Sequence, residues 1–180
     1  MIAPVALLAA SLLAAGGMTD AEVRVHAEAL LGAIDRPIPA DAWRALGPAA
    51  IPVLEEIAAS GDQMPTTRSA AVDALAAADP SRAEPVARAL VDDEAAPPSL
   101  RSTAVRALGR VIAPDRLRSA LAPVMRASRD RALRAAAAET LALRAGRDSC
   151  PEVMDQVDLE PPAGRPAFHR AAALCGGRSR

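Results

Sequence analysis

Lysine, asparagine and tyrosine are absent from this chain of 180 residues, and the larger aromatic residues are limited to Trp43 and Phe168. Codons for the three missing residue types are AT-rich, so their joint absence indicates a bacterial genome of high GC content. All 21 basic residues are arginine, and the choice of arginine over lysine therefore carries little functional information. With 51% hydrophobic and only 1% aromatic residues, the predicted core is aliphatic and alanine-rich, which suits thin, closely packed helices.

Side chains that carry catalysis or bind metals are scarce. His26 and His169 are the only histidines, Cys150 and Cys175 are the only cysteines, and their spacing fits no zinc site. His169 and Cys175, six residues apart on one predicted helix, would point to opposite sides, which disfavours a Cys–His catalytic pair. Phosphate-binding glycine loops, nucleophile elbows and calcium loops are also missing. We therefore expect no enzyme activity, no catalytic residue, no metal site and no cofactor.

The chain begins with an uncharged, mostly apolar run. Residues 1–18 contain no charged side chain, and the run is shorter than the roughly 20 residues of a membrane span. Residues 1–17 are predicted to be a signal peptide, with cleavage after Gly16, and the protein is expected to be periplasmic or secreted. Two alternatives stay open. Translation that starts at Met18 would give a cytoplasmic protein, and residues 1–17 would otherwise form a helix packed on the rest of the chain.

A repeat with a period of 33 residues runs through the middle of the chain. Residues 68–75, RSAAVDAL, return as RSTAVRAL at 101–108 and as RAAAAETL at 134–141. Such a period is typical of proteins that stack one structural unit. Within each copy the small and apolar residues keep helical spacing, as Ala71, Ala74 and Leu75 do. The residues off this stripe are predicted to face water: Arg68, Asp73, Arg106 and Glu139.

A second helix is predicted before each copy. Pro52 and Pro85 lie 33 residues apart, in first turns where a helix tolerates proline. Short loops join each helix to the next and favour antiparallel neighbours. In a degraded fourth copy the repeated arginine is Arg170. About four antiparallel helix pairs are expected, at about residues 48–79, 81–112, 114–146 and 148–177.

The residues between the apolar run and the repeats are predicted to form an N-terminal helical cap, residues 18–47. Thr19 and Glu22 have the spacing of a capping box, in which each side chain bonds the other residue's backbone N–H. Asp41 can cap a short helix that carries Trp43 and Leu46. Residues 48–180 would then form the repeat array.

The pattern Arg-x-x-Ala-Ala-x-Ala-Leu, from which each copy departs at one position, follows a short loop containing Asp or Pro. It resembles HEAT-like repeats of the short bacterial type related to phycobilin-lyase repeats. Residues 101–109 match it most closely, and Asp62 and Arg68 resemble the family's loop aspartate and helix arginine. The resemblance covers about residues 48–177. It implies an all-α, right-handed α-solenoid, and a bilin-lyase-like activity as a remote alternative.

Charge is unevenly distributed along the chain, although the net charge is only −1. Residues 1–99 carry six arginines and 14 acids, a net −8, whereas residues 100–149 carry 11 arginines and four acids, a net +7. Stacked helix pairs offer an extended binding surface, and a positive block suits an acidic protein or peptide. The leading prediction is a non-enzymatic scaffold that binds such a partner. The candidate partner-binding residues are Arg101, Arg106, Arg110, Arg116, Arg118, Arg126, Arg131 and Arg134.

Nucleic-acid binding is the alternative function, by resemblance to alkylation-repair glycosylases built on HEAT-like helices. Release of counterions from phosphates would then drive binding. The mild overall charge, the scarcity of aromatic side chains for base stacking and the expected export disfavour this alternative.

The two cysteines lie at the ends of the last predicted helix pair. Cys150 begins its first helix and Cys175 ends its second, and these ends are neighbours in an antiparallel pair. An oxidising compartment would favour a disulfide between them. Against a bridge, Cys175 occupies the repeat position of Asp73 and Arg106, which is predicted to point outward. Bridged and free cysteines both stay open at this point.

Overall fold

The computed structural model describes residues 18–33 and 38–176. The predicted signal peptide, residues 1–17, lies outside the described residues. Within the described ranges the chain forms helices and no strand. The α-helices are α1 (Asp20–Leu31), α2 (Ala40–Ala45), α3 (Ala50–Ala59), α4 (Pro65–Ala78), α5 (Pro80–Asp92), α6 (Pro98–Val111), α7 (Pro114–Ala127), α8 (Arg131–Arg144), α9 (Cys150–Leu159) and α10 (Arg165–Gly176), with a short 3-10 helix, Arg147–Ser149, before α9.

Helix starts follow from local sequence. The predicted capping box at α1 is confirmed: Thr19 N donates to Glu22 Oε2 at 2.8 Å, and Glu22 N donates to Thr19 Oγ1 at 3.3 Å. Asp79 caps α5 and Asp130 caps α8, each by accepting two backbone N–H groups. Helices α4 to α7 begin with proline, which costs no hydrogen bond at that position.

Successive helices pack as hairpins: α3 with α4, α5 with α6, α7 with α8, and α9 with α10. These pairs span residues 50–78, 80–111, 114–144 and 150–176. No single hairpin can bury its apolar stripe alone, so neighbouring hairpins pack together and bury these stripes between them. The predicted all-α solenoid of helix pairs is confirmed.

The hairpins stack as two layers. The second helices (α4, α6, α8 and α10) pack closely in that order and form what we call the inner layer, whereas the first helices (α3, α5, α7 and α9), the outer layer, approach one another much less. Closer contact on one side bends the stack toward that side. The N-terminal helices extend both layers, because α1 packs on α3 and α2 packs on α4. The cap therefore occupies the place of one more, shortened helix pair.

Repeated small residues set the spacing of the inner layer. Ala71, Ala104 and Ala137, 33 residues apart, are all fully buried, and their small side chains allow close helix packing. The same close approach is seen at Gly109, where an added Cβ would lie 2.4 Å from Cγ2 of Thr140 on α8. Helices α6 and α8 can therefore meet at this point only because position 109 has no side chain.

One prediction about the repeated arginines is wrong. Arg68 was predicted to face water, but it is only 9% exposed. Its long side chain lies against α3 and reaches the end of that helix, where it finds an acceptor. Asp73, Arg106 and Glu139, predicted to face water with it, are exposed.

Candidate partner-binding site

The repeated arginines bind the ends of the preceding helices. Arg68 Nε donates to the carbonyl oxygen of Ala58 at 3.0 Å. Arg101 donates to the carbonyl oxygen of Val91 from Nε at 3.2 Å and from Nη2 at 2.8 Å. Both acceptors lie in the last turn of an outer helix, where carbonyl groups lack helical partners and carry partial negative charge. Arg68 and Arg101 therefore hold each hairpin closed.

In the third hairpin the repeated arginine, Arg134, binds the end of the preceding helix and also forms a buried ion pair. Arg134 Nη1 donates to the carbonyl oxygen of Ser128 at 2.7 Å, while Nε and Nη2 bind the Glu160 carboxylate at 2.9 and 2.5 Å. The hydrogen bond to Glu160 raises the pKa of Arg134. The Glu160 side chain is 1% exposed, and a Cβ at Gly164 would lie 2.1 Å from its Oε1. Glycine at 164 thus makes room for the carboxylate.

The fourth hairpin uses a different arginine from the predicted one. Arg165 Nε donates to the carbonyl oxygen of Glu160 at 3.0 Å, so Arg165 caps the outer helix α9. Arg170, predicted to be the repeated arginine, is exposed and donates to Pro166 of its own helix at 3.2 Å. The prediction failed because the short loop before α10 places Arg165, not Arg170, beside the end of α9.

Arginine–glutamate ion pairs bridge every neighbouring pair of outer helices, from α1 to α9. Since these helices pack loosely, long side chains span the gaps between them. Most of these side chains are partly exposed, so water screens the pairs and each contributes little to stability. The pairs are Arg24 with Glu56, Arg82 with Glu55 at 2.7 Å, Arg116 with Glu84 at 2.5 Å, and Arg118 with Glu152 at 2.5 Å.

Three further arginines of the predicted set make other contacts. Arg110 on α6 forms an ion pair with Asp73 on α4. Arg126 Nε donates to the Ala122 carbonyl of its own helix at 3.3 Å, and Arg131 Nη1 donates to the Ala163 carbonyl at 3.3 Å. The predicted arginines therefore lie on helices of both layers, and most of them stabilise the fold.

A groove of about 470 Å³ runs across the inner layer from α6 over α8 to α10, and we call it the inner groove. Arg106, Glu139 and Arg170 are its charged lining residues, and Leu174 adds an apolar one. Small side chains supply the rest of its lining: Ser102, Ala132, Ala135, Ala136, Ala167 and Ala171.

The two groove arginines bind only neutral oxygen atoms in the described part of the chain. Arg106 Nη2 donates to Thr103 Oγ1 at 3.0 Å, and Arg170 Nη1 donates to the Pro166 carbonyl at 3.2 Å. Both side chains are exposed. Their charges are therefore available to an anionic group that enters the groove.

Sequence reasoning found only one of the groove's charged residues as a partner-binding candidate, Arg106. It missed Glu139 and Arg170 in this role. A signal for Glu139 was present, because positions 106 and 139 are equivalent in the repeat and share one face. Arg170 had no such signal, since α10 departs from the 33-residue register.

A larger cleft, of about 630 Å³, lies between the second and third hairpins. Its charged lining includes Asp92, Glu94, Arg129 and Asp130, and Arg101 also lines it while bound to Val91. Charges of both signs crowd this cleft, so it favours no single class of ligand.

Cys150 and Cys175 form a disulfide that joins the start of α9 to the end of α10, with Cα atoms 5.7 Å apart. The expectation that Cys175 points outward is wrong, because Cys175 is partly buried against the core. In α10 the buried side chains are Phe168 and Ala171, and Cys175 follows them on the same helical stripe. The register of α10 thus turns Cys175 toward its partner.

None of the described helices is both long and apolar enough to cross a membrane. The described residues contain no group of three or more His, Cys, Asp or Glu side chains able to hold a metal ion.

Stacked antiparallel hairpins, closed by arginines and joined in two layers, define the class of protein as an α-solenoid. Residues 51–142, just over half of the chain, match the family model described as HEAT repeats. The chain therefore belongs to the HEAT repeat family. No curated protein and no solved structure matches it.

Proposed function

We propose that this protein is a non-enzymatic HEAT-repeat scaffold that binds an acidic segment of a protein partner in the inner groove. The observation that carries the proposal is the pair of exposed arginines, Arg106 and Arg170, whose own contacts are to neutral atoms. HEAT repeats commonly mediate protein interactions, and the curved stack presents an extended surface to a partner.

The groove's shape supports binding of an extended segment. Its small side chains let a partner backbone approach the helices closely, while Leu174 offers a contact for an apolar side chain. Carboxylates of the partner would pair with the two guanidinium groups, which bind carboxylates in planar, two-pronged geometry. Arg116 and Arg118, on the outer layer, are less suited because they already pair with glutamates.

A labelled peptide tests this proposal. The probe is the end-capped, fluorescent peptide Gly-Asp-Gly-Ser-Ser-Gly-Ser-Asp-Gly, the acid-only peptide, titrated with the whole chain at low ionic strength. We expect saturable binding that weakens with added salt, and about tenfold weaker binding by Arg106→Gln/Arg170→Gln, as two exposed charge pairs predict.

The matched control is Arg116→Gln/Arg118→Gln, which removes the same charge from the outer layer. This variant is expected to bind the peptide like the unmodified chain. Equal losses in both variants would refute the groove as the site. Tighter binding of a fluorescent oligothymidylate than of the peptide would favour the nucleic-acid alternative instead.

We propose further that the protein works in the periplasm or outside the cell. The uncharged apolar run of residues 1–17 and the disulfide between Cys150 and Cys175 support this proposal, because disulfides persist in oxidising compartments. Cell fractionation, with non-reducing mass spectrometry of the purified protein, tests it. A cytoplasmic protein with two free thiols would contradict it.

A further inference from the structure

The charged side chains of the inner groove alternate in sign along the stack. Arg106 lies on α6, Glu139 on α8 and Arg170 on α10, and all three line the same groove. Since α6, α8 and α10 pack in that order, a partner that crosses the groove meets a positive, a negative and then a positive group.

Glu139, the middle residue, forms no ion pair with an arginine in the described part of the chain. The ion pairs among the described residues involve other carboxylates, and the Glu139 side chain is exposed. A nucleic acid strand or a uniformly acidic peptide that reached both arginines would place negative charge against Glu139. Like charges across an interface disfavour such partners.

The distance between neighbouring helices sets the spacing that charged residues need in the partner's sequence. Packed helix axes lie about 8–10 Å apart, and an extended chain advances about 3.3 Å per residue. One step from helix to helix therefore corresponds to about three residues of an extended partner.

We infer that the partner segment is extended and carries an acidic residue, then a lysine or arginine about three residues on, then a second acidic residue about three residues further. The acidic residues meet Arg106 and Arg170, and the central cation meets Glu139. This inference rests on the proposed function, to which it adds the order of charges in the partner.

Two end-capped fluorescent peptides of identical composition test the order. The ordered peptide is Gly-Asp-Gly-Ser-Lys-Gly-Ser-Asp-Gly, and the permuted peptide is Gly-Asp-Asp-Gly-Ser-Gly-Ser-Lys-Gly. We expect the whole chain to bind the ordered peptide about two- to fivefold more tightly, as one exposed ion pair predicts. The variant Glu139→Gln is expected to lose this preference.

The control variant is Glu94→Gln, which removes an exposed carboxylate that does not line the inner groove and should keep the preference. Equal affinity of the unmodified chain for both peptides would overturn the inferred order. The acid-only peptide separates the two levels. If the ordered and permuted peptides bind equally and the acid-only peptide also binds, the proposed function stands and only the inferred charge order is wrong. Failure of all three peptides to bind would contradict both the proposed function and the inferred order.

Discussion

Arginine serves several structural purposes in this protein, and the position of each residue decides which. Arg68 and Arg101 bind carbonyl groups at helix ends, Arg134 shares a buried ion pair with Glu160, and Arg118 reaches across the outer layer to Glu152. In the sequence all of these residues appear alike, as positively charged side chains. Only their surroundings separate the arginines that stabilise the fold from those that a partner can reach.

The buried and exposed ion pairs are expected to differ sharply in energy. Arg134→Met leaves the Glu160 carboxylate buried without its partner and should lower the free energy of unfolding by about 3–5 kcal/mol. Arg118→Met removes a pair whose arginine is 46% exposed, so water screens the pair and the loss should be much smaller. Urea denaturation measures both. Equal costs would contradict the burial of the Arg134–Glu160 pair.

Gly109 is expected to resist replacement by alanine, although alanine favours helices elsewhere. The added Cβ would clash with Cγ2 of Thr140, so Gly109→Ala should lower the free energy of unfolding by about 1–3 kcal/mol. Thr140→Ser removes that methyl group and should reduce the cost of Gly109→Ala in a double-mutant cycle. An unchanged cost in the Thr140→Ser background would rule out this contact as the cause.

At the scale of helices, the sequence predicted most of the architecture. The 33-residue period and the alanine stripes place α4, α6 and α8, because buried stripes must recur wherever identical hairpins stack. The last hairpin was harder, since its loop shifts α10 out of register. The capping role of Arg165 was therefore not recognised, the direction of Cys175 was misjudged, and the place of Arg170 in the inner groove was missed.

The disulfide is expected to stabilise the last hairpin locally. Its two cysteines are 25 residues apart, and closing a loop of this size stabilises a fold by about 3 kcal/mol. Cys150→Ser/Cys175→Ser should therefore speed amide hydrogen exchange in α9 and α10. Exchange in α3 and α4 should change little, because each repeat contacts only its neighbours. A uniform increase along the chain would indicate one cooperative unit instead.

For the whole molecule, stability is expected to fall in acid. Hydrogen bonds lower the pKa of three carboxyl groups: Glu22 bonds the Thr19 backbone, Asp79 bonds the Ser81 hydroxyl, and Glu152 bonds Arg118. A carboxyl with a lowered pKa stabilises the fold above its ordinary pKa, near 4. That stabilisation is lost as the pH falls through the lowered value.

The variant Glu152→Gln checks this pH dependence. It should be less stable than the unmodified chain at neutral pH, and the difference should shrink as the pH falls below about 4, where the unmodified Glu152 becomes protonated too. Urea denaturation at a series of pH values measures the difference. A gap that stays constant down to the lowest pH would show that Glu152 acts through packing instead.

The outer layer and the inner groove of the stack differ in how their charged side chains are paired. Ion pairs bridge the outer helices, while the inner groove keeps Arg106 and Arg170 exposed. The net charges of long sequence blocks suggested a positive surface, but they did not locate it. Four arginines of the positive block, Arg110, Arg116, Arg118 and Arg134, pair with acids from outside the block, and that pairing depends on the fold.

The most direct test of the inner groove as the recognition surface is a titration of the isotope-labelled chain with the ordered peptide, followed by amide NMR shifts. Residues of α6, α8 and α10 that line the groove are predicted to shift in a saturable way, while those on the exposed faces of α5, α7 and α9 stay unchanged. Shifts concentrated on the outer helices, or none anywhere, would contradict the account.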